Sequence, residues 1–497
     1  MAKATVYSYL VAFAAAIGGL LFGYEIGVIG QVMALDSFGL KMGYRFLNAT
    51  SGLVEICDDN NYGFGCTSFE KDTTGWIACS FLLSCAVGSI IVGYTADALG
   101  RKWSLFIGST IFSAGALLQA LTNDLPVLYV GRVVSGVGVG IMSMVVPLYI
   151  TETAPTETRG QMTTSYQLMI TIGILIATGI NAGIIAGLGK LSEQTWRLCM
   201  GVQVIPGVLL MIVMMFMPYS PRWLANKDRD TESMTVLARL RGVDVSNAEL
   251  QFEFREIKDA IELERKAGSS SIKELFSKGI FNRVIMAMTL QMFQQFTGIN
   301  GVMYYQTKLY QILGFSDAAQ QGLTVALGFV NFLGTFPGMF LIERMGRKKL
   351  LMYGGIGIGF SHAMIFMFGK LSENQFALGY GAFASMALFD LFFASTWGPV
   401  VWVYQSEIFP LRVRSLGAAS GTFSNWIFNA VVSKLQPLST ASIGPFTYII
   451  YAVFGILMAT YVGFCVPETA GRALEEIDEI FGGVTSPKGD VEFKTEV

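Results

Sequence analysis

Twelve predominantly apolar stretches, each about 20 residues or longer, fall at 9–32, 75–94, 103–122, 126–149, 162–188, 198–217, 283–313, 322–342, 350–369, 378–404, 416–435 and 445–466. Hydrocarbon offers no partner to a backbone N–H or C=O, so such stretches can cross it only as helices that satisfy their own backbone groups. The pattern defines an all-α integral membrane protein with twelve transmembrane helices. Composition agrees: 53% hydrophobic and 14% charged residues over 497 positions are too apolar for a water-soluble chain of this length. The first stretch has no small-residue cleavage site and reads as a retained helix.

Lys and Arg gather at 101–102, 159, 344–349 and 412–414, after the second, fourth, eighth and tenth stretches, and are absent after the third. Basic connections stay on the cytosolic side, so both termini are expected there, with the plasma membrane as the expected location. The first outer connection, 33–74, then holds Cys57 and Cys66, a candidate disulfide, and a candidate glycosylation site at Asn48. Cys79, Cys85, Cys199 and Cys465 lie in or beside spans and read as small hydrophobes, and His362 reads as a packed residue. No cluster of metal ligands is evident, no cofactor is expected, and a net charge of −2 gives no reason to invoke nucleic acid.

The chain repeats itself. Tyr149, Glu152, Pro155 and Arg159 recur as Tyr404, Glu407, Pro410 and Arg414, each displaced by 255 positions. Asp97, Arg101 and Lys102 recur as Glu343, Arg347 and Lys348 at a displacement of 246. Matches at a fixed offset mark an internal duplication, here two pseudo-symmetric six-helix bundles of the kind secondary transporters use. The expected units are 1–217 and 283–466, joined by a linker at 218–282 and followed by a tail at 467–497. In the linker, Leu250, Phe254, Ile257 and Ile261 recur at helical spacing, which predicts cytosolic amphipathic helices too short and too charged to bury a core of their own. In the tail, Leu474, Ile477, Ile480 and Phe481 would dock a last helix.

Two intramembrane features call for function. In 291–305, QMFQQFTGINGVMYY, Gln291, Gln294 and Gln295 share a helix face, and Gly298, Asn300 and Gly301 can loosen the helix. Amides cannot face lipid, so this side must meet protein or a water-filled cavity. Ties between helices would explain the amides alone, but not the glycines and the Tyr304–Tyr305 pair beside them. In the first span, Glu25 is a carboxylate near mid-membrane, too costly to leave charged and unpaired; Arg132, early in the fourth span, is its candidate partner.

The runs GGLLFGYE, GYTADALGRK, PLYITETAPTETRG, PYSPRWL, QQFTGIN, ERMGRKK, WGPVVWVYQSEIFPLRVR and PETAGR, in that order across nearly the whole chain, resemble the sugar porter branch of the major facilitator superfamily. The resemblance implies that Gln167, Gln294, Gln295, Asn300, Asn331, Trp402 and Asn425 contact a monosaccharide. Amides that donate and accept, with an indole to cover an apolar face, suit a neutral sugar. It also implies a closing latch in which Glu152 and Glu407 pair with Arg101, Arg347, Arg159 and Arg414, assisted by Asp97 and Glu343. Glu25 stands where the family most often has Asp and many facilitators have Asn, and Tyr219 stands where an acid is usual. Glu25 can titrate, which leaves proton symport and facilitative uniport both open. The expected function is transport of a hexose such as glucose by a monomer, with protons as candidate co-substrate. A sugar receptor would be expected to carry a long cytosolic tail, and an enzyme a nucleophile or metal constellation; neither is evident.

Overall fold

The computed structural model describes residues 5–48, 54–57, 70–266, 272–277, 279–312, 315–371, 379–410, 413–472 and 476–481. The first half holds α1 (Val6–Met33), α2 (Asp36–Met42), α3 (Glu70–Leu99), α4 (Arg101–Leu121), α5 (Leu125–Thr153), α6 (Arg159–Leu188), α7 (Glu193–Gly201) and α8 (Val204–Phe216). The connection contributes α9 (Pro221–Asn226), α10 (Asp230–Arg241) and α11 (Ala248–Lys266). The second half holds α12 (Ile280–Phe296), α13 (Ile299–Ile312), α14 (Asp317–Met345), α15 (Arg347–Leu371), α16 (Gly379–Ser395), α17 (Trp397–Glu407), α18 (Arg414–Ile443) and α19 (Thr447–Cys465), with α20 (Ile477–Ile480) in the tail. Between α2 and α3 lies an antiparallel ribbon, β1 (Arg45–Leu47) and β2 (Val54–Ile56), in which Phe46 faces Glu55.

Twelve crossings result, with α7–α8, α12–α13 and α16–α17 each an interrupted single crossing. Ten helical stretches among the described residues are long and apolar enough to span a bilayer by themselves. The two that are not are the seventh crossing, cut into short pieces at Gly298, and the eleventh, α18, which carries Thr422, Ser424, Asn425, Asn429 and Ser433, all buried. Large apolar side chains also cover the outer surface, as expected where the solvent is hydrocarbon: Phe216 and Phe464 are 77% and 87% exposed. Within the first half α1 lies directly on α6, and a side chain at Gly23 would collide with the Ile170 backbone.

The halves meet where the repeat predicts. α3 packs along α18 and α6 along α14, two contacts that exchange under the duplication. Thr151 and Ser406, 255 positions apart, place their hydroxyls 2.8 Å from each other. The repeat axis therefore passes between them.

One expectation is corrected. The connecting helices do bury a small core, with Ala225, Met234, Leu237, Leu250, Ile257 and Ile261 packed together and Phe254 against them. Pairing three helices hides apolar faces that none could hide alone. The unit is tied to the first half by Arg241, which donates to the Thr153 carbonyl (3.0 Å) and pairs with Glu253 (2.7 Å), and by Ser8, which donates to the Leu240 carbonyl. In the tail, Ile477 is buried and Asp478 pairs with Arg283, while Leu474 lies outside the described residues. Cys57 is disulfide-bonded; Cys66, its expected partner, also lies outside them. Asn48 donates to Glu55 (2.7 Å).

Candidate functional site

The seventh crossing bends because Gly298 adopts φ +81°, which an L-residue enters only with strain. The bend frees the Thr297 carbonyl, and His362 on α15 takes it up: its Nε2, necessarily the protonated nitrogen toward a carbonyl, lies 2.7 Å away. The Thr297 hydroxyl donates to the Gln294 carbonyl (2.6 Å) and closes the last turn. His362, read from sequence as packing, is thus the cap that holds the bend. A Cβ at position 298 would also approach the Tyr451 ring to 2.8 Å. Gly298→Ala is expected to cost about 1–3 kcal/mol and to weaken ligand binding in step, since Gln294, Gln295 and Asn300 flank the bend. A melting temperature and affinity equal to wild type would refute this.

These amides form one network. Gln294 donates to the Trp397 and Gly398 carbonyls at 2.9 and 3.1 Å; Gln295 donates to Gln294 (3.3 Å), and Asn300 to Gln295 (2.5 Å). Asn425 on α18 donates to both Gln291 and Gln294 at 2.6 Å. Gln291 passes the chain to Gln405 (2.9 Å), and Gln405 to Thr422 (2.8 Å). Beside the network lies a cavity between the halves. Phe22, Ile26, Gln167, Ile170 and Ile174 line it from the first half; Gln294, Gln295, Ile299, Asn300, Met303, Asn331, Phe393, Trp402 and Asn425 line it from the second. All seven residues expected to touch a ligand converge there, and among the described residues no charged side chain lines the cavity. The Asn331 and Asn425 carbonyl oxygens are buried without a protein partner. Trp402 is held edge-on by Tyr166, with centroids 5.7 Å apart at 79°.

Both ends of the cavity are shut. Toward the ribbon end, Asn181 donates to Gln31 (3.0 Å) and Gln31 to Gln321 of the other half (2.8 Å). Toward the basic end, Ser415 donates to Asp97 (2.7 Å), Arg101 to Ser415 (3.3 Å), and the Gln161 N–H to Glu343 (3.2 Å). The state is occluded.

At that basic face the duplication repeats in atomic detail. Arg101 pairs with Asp97 and Glu152, both at 2.9 Å; Arg347 pairs with Glu343 (2.8 Å) and Glu407 (2.9 Å). The second oxygen of each inner carboxylate takes a hydroxyl, Ser220 on Glu152 (2.6 Å) and Thr469 on Glu407 (2.8 Å). Tyr149 and Tyr404 donate to the Pro218 and Pro467 carbonyls. Pro218 with Ser220 and Pro467 with Thr469 are thus a third echo, displaced by 249 positions. Tyr219, where an acid was expected, accepts from the Trp103 indole (2.8 Å) and stacks on Trp223; its counterpart Glu468 accepts from the Arg347 and Lys348 N–H groups (2.8 and 3.0 Å).

Two expected latch partners are corrected: Arg159 donates to the Arg472 carbonyl and Thr156, and Arg414 to the Phe409 carbonyl, rather than to Glu152 or Glu407. The inner ion pairs lie within each half, because Arg101 and Arg347 start the helices that pack directly on those carboxylates.

Deeper in the first half, Arg132 forms an ion pair with Glu25, both buried, donates to the Ile77 carbonyl (3.0 Å), and lies 4.7 Å from the Phe81 ring centroid. In the second half, Asp390 on α16, which sequence reading passed over, is fully buried and accepts from Asn331 (2.7 Å).

An occluded, amide-lined cavity between two duplicated six-helix bundles defines a secondary carrier of the major facilitator fold. The chain belongs to the sugar (and other) transporter family, whose model matches residues 11–481. It is 32% identical to a high-affinity glucose transporter of Kluyveromyces lactis, over 95% of this chain and 85% of that one, and 34% identical to a galactose-proton symporter of Escherichia coli, over 95% and 94%. The proton:xylose symporter XylE bound to 6-bromo-6-deoxy-D-glucose superposes with a TM-score of 0.83 at 27% identity, covering 96% of this chain and all of that one.

Proposed function

We propose that the protein moves a hexose across the plasma membrane by alternating access, in symport with protons, with both termini in the cytosol. The observation that carries the substrate class is the cavity lining: neutral amides, one indole and apolar side chains, with no charge among the described residues. A neutral polyol satisfies donors and acceptors together and lays a C–H face on Trp402, whereas an anionic substrate would leave its charge unmatched. Galactose and glucose transport by relatives supports a hexose. Uptake of radiolabelled glucose by proteoliposomes of the purified chain, with a panel of competing sugars, tests this; no saturable uptake of any sugar would overturn it.

Gln295→Ala and Asn300→Ala should each weaken sugar binding by about 1–3 kcal/mol, the cost of a lost hydroxyl partner. Because Asn300 donates to Gln295, the double variant should lose less than the sum. Titration calorimetry reads this, and unchanged affinity in both single variants would move the site elsewhere. A uniporter is the second reading, favoured by the closed Glu25–Arg132 pair, which lets a facilitator carry two charges at low cost.

A further inference from the structure

The Glu25–Arg132 pair is not the only acid within the bundle. Asp390 is fully buried near the middle of α16, against Asn331 near the middle of α14. The Asn331 N–H₂ donates to Asp390 Oδ1, Asp390 Oδ2 has no partner, and Asn331 Oδ1 has none either while its side chain lines the cavity. Unlike Glu25, Asp390 has no cation against it among the described residues. Among the described residues the titratable groups around it are Tyr310 on α13, close enough to interact electrostatically, and His362 on α15, whose ring packs on Phe389 at 4.4 Å. The charged residues of α14, α15 and α17 lie at the helix ends. An acid so placed has no fixed countercharge, so its proton is kept or released according to what else the site holds.

We propose that Asp390 is a second proton-binding group of this carrier, and that it acts on the sugar through Asn331. As a carboxylate it takes the Asn331 N–H and leaves Asn331 Oδ1 to accept from a sugar hydroxyl. With one proton taken from solvent onto its free oxygen, it donates to Asn331 Oδ1 instead, the amide reverses, and the N–H₂ is offered to the sugar. The reversal matters because the other partners are fixed. Gln294 spends its N–H₂ on two backbone carbonyls and its oxygen on Asn425 and Gln295. A sugar whose hydroxyls are set by that network fits one orientation of Asn331 better than the other. Asp390 is thus a positioning residue for the pocket, and the inference rests on the sugar reading of the cavity.

The test is glucose binding to the full chain in detergent, followed by tryptophan fluorescence across the neutral and mildly acidic range, in a Glu25→Gln background that silences the other acid. Affinity should still change with pH, by about fivefold or more. Adding Asp390→Asn should flatten the profile, and Asp390→Glu should keep it. Should Asp390→Asn fail to fold, Asn331→Ala with Asp390 intact should flatten the profile as well, because the relay is cut. A flat profile with Glu25→Gln alone, or one that survives both Asp390→Asn and Asn331→Ala, overturns the assignment while leaving the sugar site standing. Absence of binding by any sugar at any pH defeats the sugar reading, and the assignment with it.

Discussion

Glu25→Gln should abolish proton-driven accumulation of sugar while leaving exchange of sugar down its own gradient. For one proton per sugar, a pH step of one unit can hold sugar about tenfold above its equilibrium level, since one unit is worth about 1.36 kcal/mol. The variant should fall from that level to no accumulation. The geometry supplies the reason. Arg132 is anchored on α3 by the Ile77 carbonyl and the Phe81 ring, so it stays in place whether or not Glu25 is charged. Glu25 has one oxygen on Arg132 and one buried without a partner, which is where a proton would sit. It lies on the helix that gives Phe22 and Ile26 to the cavity, so movement of α1 around the sugar can change its distance from Arg132. Neutralising it leaves Arg132 uncompensated at a cost of about 3–5 kcal/mol, so thermal melting must be recorded beside transport, and Glu25→Asp should restore coupling. Energy-depleted vesicles with an imposed pH gradient provide the measurement. If wild type accumulates nothing, uniport is the mechanism and the pair is static.

That pair was legible in the sequence because charge in hydrocarbon is rare enough to single out both members. So were the duplication and the amide face of the seventh crossing, since identical residues at one offset and amides at helical spacing need no tertiary knowledge. Asp390 carries the same signal of charge in the stretch 378–404 and was passed over; what the sequence does not reveal is its partner, an amide two crossings away. His362 was passed over because the carbonyl it caps belongs to a bend two crossings away. Ser220 and Thr469 sit beyond the spans, where spacing to the inner carboxylates means nothing until the chain folds back; their shared Pro-x-hydroxyl pattern is nonetheless visible once the two motifs are aligned. Of the four expected latch partners, two pair with the inner carboxylates and two do not, for a related reason. The resemblance implied all four without ranking them; the helix starts at Arg101 and Arg347 put those guanidinia against the carboxylates, while Arg159 and Arg414 turn to backbone carbonyls.

That placement changes what holds the basic face shut. If the halves rock as rigid bodies, the Arg101–Glu152 and Arg347–Glu407 pairs move with their own half and survive opening. The links that must break include Ser415 to Asp97 and Arg101, and Gln161 N–H to Glu343, beside the Arg159 bond to the Arg472 carbonyl. A hydrogen bond to a charged group contributes about 1.5–3 kcal/mol, so losing the Ser415 and Glu343 links by Ser415→Ala with Glu343→Ala should shift the balance toward the basic-face-open state by about 3–6 kcal/mol, or roughly two to four powers of ten. Reversing a two-state population outright takes about 5.5 kcal/mol, so the double variant should come close to doing so. Spin-label distances across the basic face would read the shift, and sugar should still bind. Glu407→Gln should behave differently: it leaves Arg347 buried with half its compensation, so it should lower the melting temperature more than it moves the distances. If instead Glu407→Gln opens the face and the double variant leaves it closed, the ion pairs themselves are the latch, and the halves do not move as rigid units.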